Sequence, residues 1–283
     1  ETKIANISTS TKTVFLEIIA KNQNNQIVLE ADAQVKYPKK FEKKFLLNKN
    51  KEKKENNYKT KKKITLIIGG SSEIGEKLVK KISKNNLIIL TYNSKKPKIT
   101  KKNLILKKLD LLNKKNIFKF TNDIKKNYFI DKFVFLPSGK ILFKDFENIN
   151  IKELMTEFTL QVCGLFYLTQ KLKNNLKKEG SIVCMASDAV KNKPPKKMMI
   201  YSIIKSALVS MAKNLSVELS DKNVRVNCIS PGIIETKLTA EVPEIVKEFY
   251  KVNSLTGRLT SLEDVANLTL FLLSNKSKNI NGA

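Results

Sequence analysis

A chain of 283 residues has room for one full domain and an appendage, and an apolar fraction of 41% is enough for a core. The formal charge of +28 is almost all lysine, because Arg225 and Arg258 are the only arginines; base and bidentate phosphate recognition favour arginine, so the charge alone does not indicate nucleic acid. The absence of histidine excludes Ser-His-Asp and Cys-His devices and His-containing metal sites, and no apolar run reaches the roughly 18 residues of a membrane span.

The chain begins at Glu1 and not at Met, so a segment is expected to precede it, and no secretory signal is visible. Cys163, Cys184 and Cys228 are widely spaced in apolar stretches. They read as buried thiols in a reducing, cytoplasmic compartment, with neither a disulfide framework nor a metal site.

The first expected element is a β-hairpin within residues 1–38. Its strands are Val14 to Ala20 and Ile27 to Val35, joined by a turn at Asn22-Gln23-Asn24-Asn25. Leu29, Ala31, Ala33 and Val35 alternate with Glu30, Asp32 and Gln34, which predicts one buried face. A lone hairpin is marginal in water, so it is expected to pack on something upstream. The stretch VFLEIIAKNQNNQIVLEADAQVKYP resembles the last two strands of the hot-dog-fold enoyl hydratase family. That family's catalytic residues lie further upstream, so none is carried over, and an unrelated hairpin extension is the alternative. Residues 39–62 read as a solvated, self-repelling linker, since thirteen lysines and three glutamates fall between Lys36 and Lys63.

From residue 63 to 283 the pattern changes to strands alternating with helices, which predicts a doubly wound, Rossmann-like parallel sheet. Ile64 to Ile68 is continuously apolar, as in a strand buried on both faces. Further strands are expected at 87–90, 104–106, 133–136, 181–185 and 224–229, with helices from about residue 74, around 151–175 and around 201–219.

The first strand runs into Gly69-Gly70-Ser71-Ser72-Glu73-Ile74-Gly75. A glycine-rich turn at a helix N-terminus offers free N–H groups and a positive dipole end to a pyrophosphate. Gly69, Ser71, Ser72, Ile74 and Gly75 are therefore candidate cofactor contacts; Glu73 stands where a middle glycine is often found. After the second strand, where a carboxylate usually selects NAD, the chain reads Tyr92-Asn93-Ser94-Lys95-Lys96. Asn93, Ser94 and Lys95 suit a ribose 2′-phosphate, so NADP(H) is preferred and NAD(H) is the alternative.

Five of the seven tyrosines precede a lysine by four residues: Tyr58/Lys62, Tyr92/Lys96, Tyr128/Lys132, Tyr167/Lys171 and Tyr201/Lys205. This spacing lets an ammonium share a helical face with a phenol, but lysine abundance produces it by chance. Only Tyr201 follows an apolar strand that ends in a serine, Ser187, and opens an amphipathic helix.

At these residues the chain resembles the short-chain dehydrogenase/reductase family, from about Lys63 to the end. The resemblance implies an NAD(P)(H)-dependent oxidoreductase with Ser187, Tyr201 and Lys205 as catalytic residues. It places Asp110 and Leu111 beside the adenine, and Pro231, Gly232, Ile234 and Thr236 of VRVNCISPGIIET near the nicotinamide. Two departures stand out. Leu136-Pro137-Ser138-Gly139 replaces the family's Asn-Asn-Ala-Gly, leaving backbone contacts from Leu136, Ser138 and Gly139. Gln161 aligns with the family's helical catalytic Asn, and its longer side chain is expected to disturb the helix kink there. The resemblance also implies a further strand after Ala283 and a homodimer or homotetramer through the 151–175 and 201–219 helices.

The implied chemistry is hydride transfer between nicotinamide and a carbonyl or hydroxyl. Lys205 is expected to lower the phenol pKa of Tyr201 and to bind the ribose, while Ser187 holds the carbonyl oxygen. Lys191, Lys193, Lys196 and Lys197, between the Ser and the Tyr, point to an acidic carrier-bound acyl substrate, such as a 3-oxoacyl thioester; a small ketone is the alternative. Two rival classes stay open: a non-catalytic cofactor-binding scaffold, and a basic nucleic-acid-binding protein.

Overall fold

The computed structural model describes residues 2–8, 13–21, 27–36, 62–190 and 194–283, which fall in two units, Glu1–Lys59 and Thr60–Ala283. In the first unit β1 (Thr2–Ser8), β2 (Thr13–Lys21) and β3 (Ile27–Lys36) form an antiparallel sheet in that order. Strands β2 and β3 correspond to the expected hairpin, with Leu16 opposite Ala33 and Ile18 opposite Ala31. Strand β1 escapes a search for alternation because Ile4 and Ile7 are three apart. A register shift between Ile4 and Asn6 absorbs the odd residue. The expected turn at 22–25, the linker from 39 to 61 and Tyr58 lie outside the described residues, as do Lys191 and Lys193.

The second unit is a six-stranded parallel sheet. In chain order its strands are β4 (Ile64–Ile68), β5 (Leu87–Tyr92), β6 (Leu104–Lys108), β7 (Ile130–Phe135), β8 (Leu176–Met185) and β9 (Arg225–Ile229). Their order across the sheet is β6-β5-β4-β7-β8-β9. The chain works outward from β4 to one edge, then returns to β7 and works to the other. The reversal leaves a crevice between the C-terminal ends of β4 and β7, the place where ligands bind in such sheets.

Helices cover both faces: α1 (Glu73–Lys81), α2 (Lys114–Asn127), α3 (Ile151–Phe158), α4 (Gly164–Leu172), α5 (Met199–Glu218), α6 (Glu244–Val252) and α7 (Leu262–Leu272). All five residues of β4 are buried, and their alternation divides the core. Leu66 and Ile68 join Phe120, Leu168 and Leu208 of α2, α4 and α5 on one face. Ile67 joins Leu78 and Val265 of α1 and α7 on the other. This is the doubly wound arrangement expected from the alternating elements.

Strands β7 and β8 begin earlier than their apolar runs because polar residues extend them at their N-terminal ends. Asp131 and Lys132 follow Ile130 at the start of β7, and Lys178 and Glu179 in β8 are exposed. The last residues run beside β9, where Gly282 N–H donates to Val226 O and Cys228 N–H to Ala283 O.

Candidate active site

The turn after β4 is built around Gly69, whose φ of +72° is in the region that favours glycine. A Cβ there would also lie 2.9 Å from the Pro137 nitrogen. The N–H of Gly69 donates to Thr91 Oγ1 at 3.0 Å and that of Gly70 to Thr91 O at 2.9 Å, so the end of β5 anchors the turn. Ser72 caps α1: its hydroxyl accepts from Gly75 N–H at 3.2 Å and donates to Gly69 O at 3.0 Å. Gly75 is pressed against the turn, and a Cβ on it would meet the Gly70 oxygen at 2.5 Å. The helix thus starts directly below the loop, with its positive end toward the cleft.

A cleft of about 580 Å³ opens there. It is lined by Gly69, Ser71, Ser72, Ile74, Asn93, Leu111, Leu136, Ser138, Gly139, Ser187, Tyr201, Lys205, Pro231, Gly232, Ile234 and Thr236, drawn from the ends of β4, β5, β7, β8 and β9, the loop after β6, and α5. Five expected residues are not in its wall. Gly75 sits beneath the turn. Ser94 and Lys95 are exposed beyond the end of β5. Asp110 is spent within its own loop, where its N–H donates to Asn116 Oδ1 at 2.7 Å and its carboxylate accepts from Leu112 N–H at 2.9 Å. Gln161 lies behind Lys205.

Glu73 lines the cleft and is half-buried. Its Oε1 accepts from Lys237 N–H at 3.0 Å, tying the glycine turn to the segment after β9. The residues fit a nicotinamide dinucleotide: a cradle closed to larger residues at Gly69 and Gly75, a capped helix N-terminus, and an elongated crevice at the switch point. Such a group would lie along Gly69 to Ile74 at one end and reach Tyr201 and Lys205 at the other.

Tyr201 is in the first turn of α5 and Lys205 one turn later, with Nζ 5.5 Å from the Tyr201 ring centroid. Lys171 approaches Tyr167 almost as closely, at 5.8 Å, but Tyr167 is 44% exposed. The Tyr128 ring is approached by Lys107 and not by Lys132. Burial beside the cleft, and not spacing, separates Tyr201/Lys205 from the other described pairs.

The electrostatics differ from the expectation that Lys205 would lower the phenol. Burial pushes the Tyr201 hydroxyl above its ordinary value, and the hydrogen bond with Ser187 opposes the shift in part. Burial also lowers Lys205 to about 8, against the opposing charge of Glu157 and the nearby thiols Cys228 and Cys184. Both groups thus have their charged forms disfavoured by desolvation.

Gln161 sits at the centre of a π turn, Thr159–Cys163, between α3 and α4. The turn widens the helix there, a feature common at functional sites. Lys205 Nζ donates to Gln161 Oε1 at 2.9 Å and to Met185 O at 3.2 Å. Gln161 Nε2 donates to Glu157 Oε2 at 2.8 Å, and Gly139 N–H donates to the same oxygen at 3.2 Å. Sequence reading missed Glu157. Its position four residues before Gln161, on the same helical face, is the signal that was available. It also missed Thr91. The three cysteines are free, and the two that are distant in sequence, Cys184 and Cys228, are register partners on β8 and β9.

A smaller side chamber opens on Ser187 and Tyr201, walled by Ile141, Phe143, Met198, Val242, Val246 and Tyr250.

A parallel sheet with this strand order, a glycine cradle at the switch point and a Ser, Tyr and Lys on the cleft define a Rossmann-type oxidoreductase site. Residues 72–283 match the family model described as Enoyl-(Acyl carrier protein) reductase. The 3-oxoacyl-[acyl-carrier-protein] reductase of Buchnera aphidicola subsp. Baizongia pistaciae is 28% identical over 233 residues, covering 79% of this chain and 95% of that protein. A 3alpha-hydroxysteroid dehydrogenase of Mediterraneibacter gnavus is 25% identical over 234 residues, covering 78% and 94%. The crystal structure of a short chain dehydrogenase family protein from Francisella tularensis superposes with a TM-score of 0.70 at 27% identity, over 78% of this chain and 95% of that one. The chain belongs to the short-chain dehydrogenase/reductase family of oxidoreductases.

Proposed function

We propose that this chain reduces the 3-oxo group of an acyl thioester, with NADPH preferred over NADH. The observation that carries the reading is the meeting of Ser187, Tyr201 and Lys205 at one end of the cleft, where the apolar side chamber begins. Held along Gly69 to Ile74 and reaching Tyr201 and Lys205, a nicotinamide dinucleotide would supply hydride chemistry at the carbonyl carbon. The carbonyl oxygen then gathers charge, and the Ser187 hydroxyl donates a hydrogen bond to it. Tyr201 gives its phenolic proton to that oxygen, with the Lys205 ammonium held 5.5 Å from its ring centroid.

The chamber's apolar wall suits a short acyl chain next to the reacting carbonyl. The preference for NADPH rests on the absence of any carboxylate from Tyr92 to Lys96. A carrier-bound substrate is supported by the Buchnera relative's substrate class and by the lysines between Ser187 and Tyr201. Of these, Lys196 is exposed, while Lys197 is paired with Asp145 at 3.0 Å. Exposed Ile151, Met155, Phe166 and Tyr167 on α3 and α4 support a homo-oligomer. The hot-dog resemblance of the N-terminal strands would join a hydratase-like activity to the reductase in one chain.

The test is an absorbance assay of NADPH and NADH oxidation against a short 3-oxoacyl thioester and a panel of small ketones. Consumption of NADPH with the thioester supports the reading. Cofactor binding without turnover on any carbonyl favours a scaffold, for which Gln161, Glu73 and the altered turn at Leu136–Gly139 are the arguments.

A further inference from the structure

We propose that Glu157 is a positioning residue for Lys205: acting through Gln161, its carboxylate holds the Lys205 ammonium in place beside Tyr201. The chain of contacts is continuous. Glu157 Oε2 accepts from Gln161 Nε2, and Gln161 Oε1 accepts from Lys205 Nζ, at 2.8 and 2.9 Å. The amide has one orientation that serves both neighbours, because a carboxylate only accepts and an ammonium only donates. Gln161 is 2% exposed and Lys205 3%, so water does not compete at that end.

The other end is anchored as well. Glu157 Oε2 also takes the N–H of Gly139 in the loop after β7. A Cβ on Gly139 would overlap the Glu157 carboxylate, so that glycine leaves room for it. The π turn sets Gln161 facing α5. These features have one consequence in common, a carboxylate coupled to a buried ammonium through a single amide. An amide passes on orientation and charge but does not carry a proton between its two ends. The role is therefore to hold Lys205 charged and aimed, not to resupply Tyr201.

Burial disfavours the charged Lys205, and the Glu157 charge works against this. The other ionisable groups facing Lys205 are Cys184 on β8, Cys228 on β9 and Tyr201 on α5 itself. Of the charges acting on Lys205, the Glu157 carboxylate works most strongly against the desolvation, ahead of the two thiols.

The geometry does not depend on the reductase reading; only its consequence for turnover does. Two readouts keep them apart. In ¹³Cε-lysine NMR, the Lys205 resonance is assigned by its loss in Lys205→Met. Its midpoint is expected to fall by about one unit in Glu157→Gln and to return toward wild type in Glu157→Asp. In turnover, the alkaline limb of kcat moves to lower pH by the same amount, with KM for the carbonyl substrate within about twofold. Gln161→Met severs the link while leaving Glu157 on Gly139, and it is expected to move the midpoint the same way should Glu157→Gln fail to fold. A Lys205 midpoint unchanged in both variants overturns the proposal. A midpoint that shifts in a chain reducing no carbonyl leaves the proposal standing and removes the reductase reading.

Discussion

The carboxylate of Glu73 accepts a hydrogen bond from the backbone N–H of Lys237 at 3.0 Å, joining two segments 164 residues apart across the cofactor cleft. The contact gives the carboxylate in the glycine turn a partner on the opposite lip. It also sets a cost, because a negative charge at the N-terminus of α1 competes with a pyrophosphate for the same positive end.

Replacing Glu73 is therefore expected to tighten cofactor binding. Glu73→Gln keeps an acceptor for Lys237 N–H but removes the charge, and should lower the Kd for NADPH by about fivefold to tenfold, roughly 1 to 1.4 kcal/mol. Fluorescence titration measures it. Weaker binding in this variant would mean that the clasp holds the cleft in its binding shape.

Tyr201→Phe removes the proton donor and leaves the ring. Turnover is expected to fall by about 1,000-fold or more, within the range for losing a general acid, while the Kd for NADPH changes by less than about twofold. Steady-state kinetics together with cofactor titration separate the two effects. Full activity would exclude Tyr201 as the acid.

Burial of Lys205 makes a pH-dependent demand on stability. Its folded pKa, about 8, lies below the ordinary lysine value of 10.5, so between those values the unfolded state binds more protons. Stability from this group therefore rises as pH increases above 8. The span corresponds to about 3 kcal/mol when complete. Tyr201 acts in the opposite direction above pH 10, since its folded value is raised. Comparing wild type with Lys205→Met by denaturant unfolding at pH 7 and pH 10 cancels the tyrosine. The wild type should gain about 2 kcal/mol or more on the variant over that interval. A flat difference would mean that Lys205 is not desolvated.

Gly139→Ala is expected to destabilise the fold by about 1 to 3 kcal/mol, because the new methyl overlaps the Glu157 carboxylate. Gly139→Ala combined with Glu157→Ala should recover part of that loss, giving a non-zero coupling in a double-mutant cycle of unfolding free energies. Additive losses would show that the two residues do not meet.

Much of the second unit was legible in the residues because its strands are buried on both faces. A continuous apolar run such as Ile64–Ile68, followed at once by a glycine turn and a helix, is the pattern of a central parallel strand. Boundaries were less legible where polar residues extend a strand, as at Asp131 and Lys178, since the apolar pattern marks burial and not pairing. Strand β1 was missed because its bulge breaks the period of two. Gln161 was noticed only as a departure, because an extra residue in a helix becomes a π turn through hydrogen bonding that no short stretch of sequence displays.

The sequence by itself determined the class of fold, the glycine cradle and the candidate Ser187, Tyr201 and Lys205, because those depend on local pattern and order along the chain. Tertiary structure alone decided which of the described tyrosine–lysine pairs lies buried on the cleft, since residue spacing carries no information about burial. It also turned Asp110 into its own loop, carried Ser94 and Lys95 out of the cleft wall, and brought Glu73 to Lys237 and Glu157 to Lys205. The last two depend on contacts between segments far apart in the chain, where charge and desolvation are set by whatever the fold places alongside.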